Sequence, residues 1–198
     1  MKTYRLTEIF YSLQGEGVRA GTAVVFVRFA GCNLRCTVET AGYDCDTDHS
    51  CKMVLTAQQI RDKCYGIWRG CGGKHCVVFT GGEPALQLDD ELLGAFEGWH
   101  KAIETNGTLS LPVGLDWVTV SPKPQAITKL GSCDEVKCVV GAGGRLPIPL
   151  IRADDYLLSP AFKGLEPDRE AIARCVELVK ENPKWRLSVQ LHKMVGIR

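Results

Sequence analysis

The sequence lacks a strong charge of either sign, and it lacks any apolar run long enough to cross a membrane. Its 198 residues carry a formal net charge of +1, which gives neither the basic surface of a nucleic-acid-binding protein nor an acidic tail. The apolar run AVVFV at residues 23–27 is far shorter than the roughly 20 residues of a transmembrane helix. The N-terminal segment MKTYRLTEIF has no uninterrupted apolar stretch, so we expect no signal peptide. We therefore expect no nucleic-acid partner and no membrane partner.

Cysteine is plentiful but too sparse for a scaffold built on disulfides. Ten cysteines in 198 residues fall below the density of such small secreted domains. Without a signal peptide, the expected location is a reducing cytoplasm, where clustered thiols more often bind metal or take part in catalysis than cross-link. The length is typical of one domain, and no linker or repeat interrupts it, so we predict a single domain over residues 1–198.

Short apolar segments of strand type run through the whole chain, with helical patterns between some of them. The predicted strands are, in chain order, residues 6–10, 22–31, 75–82, 101–107, 116–123, 134–140, 155–160 and 185–193. The predicted helices are residues 55–68, a segment with the stripe Leu88, Leu92, Phe96 and Trp99, and a last helix with the stripe Ile172, Cys175, Val176 and Val179. Asn182-Pro183 ends that last helix.

The spacing of these segments predicts the fold class. Early alternation of strand and helix favours a parallel sheet with crossover connections. Later spacers of about ten residues, rich in Gly, Pro and Ser, leave little room for a crossover helix. We therefore predict an α/β fold: an open, partial (β/α) barrel with mostly parallel strands and missing crossover helices.

Short polar motifs directly follow apolar strand segments. In chain order they are GCNLRC, TGGEP, ETNG, SPK and SP. In parallel barrels the carboxyl ends of the strands share one face, and that face carries the active site. The five motifs would thereby meet at one cavity, which favours an enzyme over a binding module.

Three thiols fall within one polar stretch, GCNLRCTVETAGYDCDTD at residues 31–48. A structural zinc site wants four ligands, which Cys51 or His49 could complete. A [4Fe–4S] cluster held by only Cys32, Cys36 and Cys45 would keep one iron open for a small molecule. Thiols buried as small apolar residues are the third reading. Spacing alone leaves all three open.

Several motifs together resemble a known family. GCNLRC with a later CDT, TGGEP, ETNG and SPK resemble radical S-adenosylmethionine enzymes. With EIFYSLQGEG (8–17), FVRFAGCNLRC and RLSVQLHK added, the chain resembles the 7-carboxy-7-deazaguanine synthase family. The resemblance extends from Glu8 to Lys193. YSLQGEG joined to RFAGCNLRC is highly specific, whereas TGGEP alone would mark only the superfamily.

The resemblance implies a [4Fe–4S] cluster, S-adenosylmethionine and Mg²⁺. The cluster would be bound by Cys32, Cys36 and Cys45, although eight residues separate the last two where the superfamily usually has two. Mg²⁺ would be bound by the hydroxyl of Thr47, which is plausible for an ion that takes few protein ligands. The implied S-adenosylmethionine contacts are Asp46, Gly81, Gly82, Glu83, Ser121, Pro122, Lys123 and Ser159.

The resemblance also implies the substrate, 6-carboxy-5,6,7,8-tetrahydropterin, and a reaction. A 5′-deoxyadenosyl radical would abstract hydrogen from C6, the ring would contract, and ammonia would leave to give 7-carboxy-7-deazaguanine. Arg28 stands on an otherwise apolar strand, and a carboxylate is the natural partner of a buried arginine; an internal salt bridge is the alternative. The implied substrate contacts are Leu13, Gln14, Gly15, Glu16, Arg28, Thr80, Glu104, His192 and Arg198.

The resemblance further implies an electron donor such as a flavodoxin or ferredoxin, and a homodimer. Two other functions compete with the synthase. Another radical S-adenosylmethionine enzyme, such as a glycyl-radical activating enzyme, would share the cluster loop and TGGEP. A non-catalytic zinc-binding module would share only the thiols, and it would leave the position of the motifs at strand ends unexplained.

Overall fold

The structure, a computed structural model, describes residues 1–45, 47–163 and 166–197. Its strands are β1 (Tyr4–Leu13), β2 (Ala23–Phe29), β3 (Met53–Leu55), β4 (Cys76–Gly81), β5 (His100–Thr105), β6 (Trp117–Val120), β7 (Ser132–Val140), β8 (Arg152–Pro160), β9 (Phe162–Lys163), β10 (Glu166–Pro167) and β11 (Trp185–Leu187). Its helices are α1 (Val38–Ala41), α2 (Ala57–Ile67), α3 (Asp90–Ala95), α4 (Arg169–Glu181) and α5 (Leu191–Met194), with a 3₁₀ turn at Pro84–Leu86.

Nine strands form one sheet in the order β11-β8-β7-β6-β5-β4-β2-β1-β3. Neighbours from β2 to β11 pair in parallel, whereas β1 pairs antiparallel with both β2 and β3. The first and last strands of this order do not pair with each other, so the sheet is open. Among the described residues, no helix lies between β5 and β6, β6 and β7, or β7 and β8. The predicted open, partial barrel with missing crossover helices is confirmed.

Alternation along the strands separates two faces of the sheet. On the outer face, Val25, Val27 and Phe29 of β2 pack with residues of α2 and α3 in one core cluster. A second cluster packs Cys175 and Leu178 of α4 against β6, β7, β8 and β11. The inner face carries a small apolar cluster, which contains Phe10, Val24, Phe26, Cys76, Val78 and Ala102. Several of these residues lie near the amino ends of parallel strands, so the carboxyl ends are left for polar side chains.

Two predicted helices differ from the structure. Helix α3 covers only six residues, because Gly98 adopts φ +80 and turns the chain toward β5. Its predicted stripe is nevertheless buried, including Phe96 and Trp99. Helix α4 buries Ala171, Cys175 and Leu178, whereas Val176 is exposed, so the predicted stripe is misplaced by part of a turn.

The predicted strand over residues 185–193 is wrong beyond its first three residues. β11 ends at Leu187, and α5 begins at Leu191. The backbone N–H of Leu191 donates to the carbonyl of Gly15 at 2.8 Å, so the chain turns from the sheet edge toward the loop that follows β1. This turn carries His192 to the inner face. None of the helices in the described part of the chain has the length and apolar content needed to cross a bilayer.

Candidate active site

A cavity of about 490 Å³ lies over the inner face of the sheet. The strand register explains why polar side chains share it: Arg28 pairs with Thr80, and Glu104 pairs with Thr119, and paired positions point to the same face. The predicted site residues that line the cavity are Leu13, Gln14, Gly15, Glu16, Arg28, Cys32, Cys36, Cys45, Thr47, Thr80, Gly81, Gly82, Glu104, Ser121, Lys123 and His192. The structure thus brings most of the predicted site together.

Among the described site residues, three do not belong to this lining, and two further predicted residues are not described. Glu83, Pro122 and Ser159 lie in the described chain but do not line the cavity. Ser159 is buried within β8, at the position paired with Val139. Asp46 and Arg198 lie outside the described residues.

The eight residues between Cys36 and Cys45 leave the cysteine loop and return to it; we call this insertion the excursion. They contain helix α1, in which Thr37 and Thr40 form a reciprocal capping box and Gly42 ends the helix at φ +82. The backbone N–H of Cys45 then donates to the carbonyl of Cys36 at 3.2 Å. Because the excursion returns to its starting point, Cys36 and Cys45 face the same cavity despite the added chain.

The three thiols of this loop suit an iron–sulfur cluster better than a single metal ion. Cys32, Cys36 and Cys45 all line the cavity. In the described part of the chain, no group of three or more His, Cys, Asp and Glu side chains is close enough to hold one ion. A [4Fe–4S] cluster binds each thiolate at a different iron, so its ligands stand farther apart. The soft donor set fits that group.

Cys51, the candidate fourth zinc ligand, does not point into the cavity. Its thiol is exposed and lies 3.6 Å from the carbonyl oxygen of Met53, and it does not line the cavity. His49 lines the cavity without completing a single-ion site among the described residues. The geometry therefore gives no support to a closed four-ligand zinc site.

Tyr43 and Lys123 meet at the cavity wall. The ammonium of Lys123 lies 5.6 Å from the centre of the Tyr43 ring and donates to the hydroxyl of Ser121 at 3.0 Å. Burial raises the pKa of Tyr43, and Lys123 opposes that rise. Asp44, which occupies the position before the third cysteine, is exposed and accepts from the backbone N–H of Val38 at 3.2 Å. The excursion thus presents Tyr43, and not Asp44, to the cavity.

Thr47 also lines the cavity, beside Asp48 and His49. Asp48 pairs with Lys52 at 2.6 Å and accepts from the backbone N–H of Ser50 at 2.9 Å. Mg²⁺ commonly keeps several waters and takes few protein oxygens, so a single threonine hydroxyl here is compatible with it.

The two glycines of TGGEP are required by close backbone contacts. A Cβ on Gly81 would lie 2.4 Å from the carbonyl oxygen of Phe29, and Gly81 has φ +128. A Cβ on Gly82 would lie 2.0 Å from the carbonyl oxygen of Gly31. The loop after β4 therefore packs directly on the loop that carries Cys32, with backbone facing the cavity, as an approach to a bound ligand requires.

Glu83 is fully buried beneath this loop. Its Oε1 accepts from the hydroxyl of Thr105 at 2.7 Å and from the backbone N–H of Ala85 at 2.9 Å. Its Oε2 accepts from the backbone N–H of Asn106 at 2.7 Å. The carboxylate thus fastens the end of β5 to the end of β4, and the predicted contact of Glu83 with a ligand ammonium remains a prediction.

We expect Glu83→Ala to lower the free energy of unfolding by about 3 kcal/mol or more, because three donors, two of them buried, lose a charged acceptor. Urea unfolding of the cluster-free protein measures this, with exposed Glu97→Ala as the matched control. If Glu83→Ala unfolds at the wild-type midpoint and loses only S-adenosylmethionine binding, Glu83 is instead a ligand-binding residue.

The segment after β1 forms the floor of the cavity. Gly15 packs against His192 so closely that a Cβ would lie 2.0 Å from its Nδ1. The side-chain amide of Gln14 donates to Oε1 of Glu104 at 2.9 Å. The hydroxyl of Thr80 donates to Oε2 of Glu104 at 2.8 Å. Gln14, Thr80 and Glu104 therefore form one connected polar network in the floor.

Arg28 forms an ion pair within the cavity wall. Its Nε donates to Oε1 of Glu8 at 2.9 Å, and both side chains are 24% exposed. The guanidinium lies 5.8 Å from the centre of the Phe10 ring. The internal salt bridge considered from the sequence is therefore present. It uses Nε and leaves the two terminal nitrogens outside the pair, so a role toward a bound carboxylate is compatible with it.

Sequence motifs missed three polar residues of this inner face. Lys137 and Thr119 line the cavity, and Glu135 accepts from the backbone N–H of Val18 and the hydroxyl of Thr119, each at 2.8 Å. The signal was present in the predicted strand 134–140, where Glu135 and Lys137 alternate with apolar residues.

Relatives of known name match the chain over nearly its full length. A 7-carboxy-7-deazaguanine synthase from Bacteroides thetaiotaomicron is 39% identical over 199 residues, which cover 98% of each chain. Another, from Nitratidesulfovibrio vulgaris, is 40% identical over 218 residues, covering 98% of this chain and 99% of that protein. No family model matches the sequence.

A solved structure has the same fold. The crystal structure of QueE from Escherichia coli superposes with a TM-score of 0.70 at 25% identity, covering 96% of this chain and 95% of that one. Sequence identities of 39% and 40% over whole chains, together with the shared fold, show common ancestry. The chain therefore belongs to the 7-carboxy-7-deazaguanine synthase family of radical S-adenosylmethionine lyases.

Proposed function

We propose that this enzyme converts 6-carboxy-5,6,7,8-tetrahydropterin to 7-carboxy-7-deazaguanine with loss of ammonia, a step toward queuosine and other 7-deazapurines. One observation carries the proposal: the three thiols, Arg28 and the polar floor line the same cavity. A radical source and a carboxylate-bearing heterocycle could therefore meet in it. The names of the full-length relatives support the same reaction.

Cys32, Cys36 and Cys45 would hold a [4Fe–4S] cluster at one side of the cavity. When bound, the cluster and S-adenosylmethionine supply a 5′-deoxyadenosyl radical, which starts the reaction at C6 of the substrate. The backbone at Gly81 and Gly82 is open to close approach by the methionine part of the cofactor. The remaining cofactor contacts that we propose are Asp46, Glu83, Ser121, Pro122, Lys123 and Ser159.

The polar floor would bind and orient the pterin. Arg28 would take the substrate carboxylate on its terminal nitrogens, where a bidentate pair gives both strength and orientation. Glu16 and Glu104 would accept from the N–H groups of the aminopyrimidinone edge. Unmatched polar groups in such a site cost about 1–3 kcal/mol each, which would exclude heterocycles with a different donor pattern. The further substrate contacts that we propose are Leu13, Gln14, Gly15, Thr80, His192 and Arg198.

Thr47 would hold Mg²⁺ at the cavity wall and place it between protein and substrate. A hard cation is suited to stabilise oxygen-centred negative charge on the bound substrate. Asp48 and His49, which also line this wall, stand next to Thr47 in the chain.

The proposal includes the cellular location, the electron donor and the oligomeric state of the enzyme. Ten free thiols suit a reducing cytoplasm. A flavodoxin or ferredoxin would supply the electron, and the activity would belong to one domain of 198 residues acting as a homodimer, without nucleic-acid or membrane partners.

Product analysis tests the proposal. Protein reconstituted with iron and sulfide under anaerobic conditions is reduced with dithionite and given S-adenosylmethionine, with and without carboxytetrahydropterin. We expect 7-carboxy-7-deazaguanine by mass spectrometry only when the pterin is present, and a higher rate with Mg²⁺ than without it.

Three outcomes separate the candidate functions. Deoxyadenosine without carboxydeazaguanine would keep the radical chemistry and reject the substrate, as for an activating enzyme with a protein substrate. Neither product, from protein with verified cluster content, would reject the activity. Zinc in place of iron and acid-labile sulfide in the isolated protein would favour the non-catalytic zinc module.

A further inference from the structure

The cavity floor contains a buried lysine to which the family motifs give no role. Lys137 lies on β7 and lines the cavity, and its side chain is only 8% exposed. Its ammonium donates to Oε2 of Glu16 and lies 4.0 Å from Oε1 of Glu104. Burying an ammonium is costly unless acids compensate it, and here two acids surround this lysine in one unit.

The unit joins segments that are distant in the sequence. Glu16 belongs to the segment after β1, Glu104 to β5 and Lys137 to β7. Glu104 is oriented independently by the amide of Gln14 and the hydroxyl of Thr80. These two neutral donors set the direction of the carboxylate, and the ammonium supplies the positive charge beside it.

Within the unit, the neighbouring charges shift the pKa values of Lys137 and Glu104 in the direction opposite to the effect of burial. Burial alone would lower the pKa of Lys137, but Glu16 and Glu104 outweigh it and raise that pKa above its ordinary value. Burial alone would raise the pKa of Glu104, but Lys137, the two hydrogen bonds and Arg28 hold it below its ordinary value. Both groups are therefore charged at neutral pH.

Other titratable groups face the same unit. Glu135, on β7, also acts on the ammonium, and burial raises the pKa of its carboxyl. Arg28, on β2, acts on Glu104. His192, from α5, packs on Gly15 next to Glu16. The floor thus has three acids around one ammonium, and loss of that ammonium would leave these acids without the cation that lies between them.

We propose that Lys137 is a positioning residue, whose ammonium keeps Glu16 and Glu104 as aligned carboxylates that accept N–H donors from the substrate's aminopyrimidinone edge. The inference rests on the function proposed above and deepens it. A 2-amino-4-oxo ring edge presents neighbouring N–H donors, and a carboxylate accepts them with charge assistance only while it is ionised. Lys137 would therefore select donor-rich heterocycles without touching the reacting carbon.

Lys137→Met tests this role, because it keeps the chain length and removes the charge. Exposed Lys129→Met is the matched control, and Lys137→Arg restores the charge. Cluster-reconstituted protein with S-adenosylmethionine but no reductant binds substrate without turnover, so anaerobic calorimetry with carboxytetrahydropterin reads affinity alone. We expect the Kd of Lys137→Met to rise on the order of 100-fold at neutral pH, with partial rescue by arginine.

The pH dependence of substrate affinity and of stability distinguishes a positioning role of Lys137 from a purely structural one. Without the ammonium, burial should raise the pKa of the Glu104 carboxyl in the folded protein above its unfolded value, so stability is greatest at low pH and falls as pH rises through the folded pKa. Substrate affinity should change in the opposite direction and improve as pH rises, because the Glu104 carboxylate accepts the substrate's N–H donors with charge assistance only when it is ionised. A merely structural lysine would not produce opposite trends.

Each result decides the proposal. Unchanged substrate affinity in Lys137→Met, or parallel pH trends in affinity and urea stability, would overturn it. If Lys137→Met does not fold, Lys137→Met combined with Glu104→Gln should fold, and failure of that pair would also overturn the counter-ion role. If the wild-type protein itself does not bind carboxytetrahydropterin, the proposed function and the substrate part of this inference fail together, while the urea profiles still decide the counter-ion part.

Discussion

Replacing Cys45 by serine is expected to abolish the iron–sulfur cluster and all turnover, whereas replacing Cys51 by serine leaves both at the wild-type level. Serine keeps the size of the side chain but replaces a soft thiolate by a hard, protonated oxygen. A cluster left with two protein thiolates is not retained. Cys45 faces the cavity with Cys32 and Cys36, whereas the Cys51 thiol lies against the Met53 carbonyl.

The two cysteines form a matched pair for this experiment. Both are exposed and both lie in the segment before β3, so a general effect of losing a surface thiol would affect them equally. Iron and acid-labile sulfide content, with the visible absorption of the reconstituted protein, measures the cluster independently of activity. Cluster loss in Cys51→Ser, with a stable cluster in Cys45→Ser, would reassign the third ligand and reject the folded path of the excursion through α1.

The sequence was sufficient for the fold because the responsible patterns are local. β-branched runs at 22–31 and 75–82 mark the buried strands, and short later spacers exclude crossover helices, as the structure confirms between β5 and β8. The error at residues 185–193 arose because a tertiary contact decides that segment. The hydrogen bond from Leu191 to Gly15 joins parts of the chain that no local pattern connects.

The site was predictable only where a motif marks it. Thiols and glycines at strand ends can be recognised from their spacing in the sequence. The role of Lys137 can be inferred only from the structure, which places Glu16 and Glu104 beside it. Glu83 shows the opposite case. It belongs to a recognisable motif, yet its carboxylate is taken up by Thr105 and Asn106, which only the packing of two loops reveals.

Arg28→Ala is expected to raise the Kd for carboxytetrahydropterin by roughly 30- to 5,000-fold, which corresponds to the cost of about 2–5 kcal/mol that is typical when one partner of a buried charge pair is removed. The affinity for S-adenosylmethionine should change much less, because the lost positive charge is the proposed partner of the pterin carboxylate, whereas only the aliphatic part of Arg28 packs beside Gly81. Arg28→Lys should recover only part of the loss, since an ammonium cannot form the bidentate pair. Anaerobic calorimetry with each ligand separately measures both affinities.

The ion pair with Glu8 provides the control that separates binding from folding. Arg28→Ala alone leaves Glu8 without its guanidinium partner in a half-buried wall, so some stability is lost whatever the function of the arginine. Arg28→Ala combined with Glu8→Gln removes both charges of the ion pair and should recover most of the urea midpoint. If Arg28 binds the substrate carboxylate, the double variant regains stability but not affinity, because nothing has replaced the anion-binding group. Recovery of substrate affinity in the double variant would mean that the arginine only neutralises Glu8, and the carboxylate of the pterin would then need another partner in the cavity.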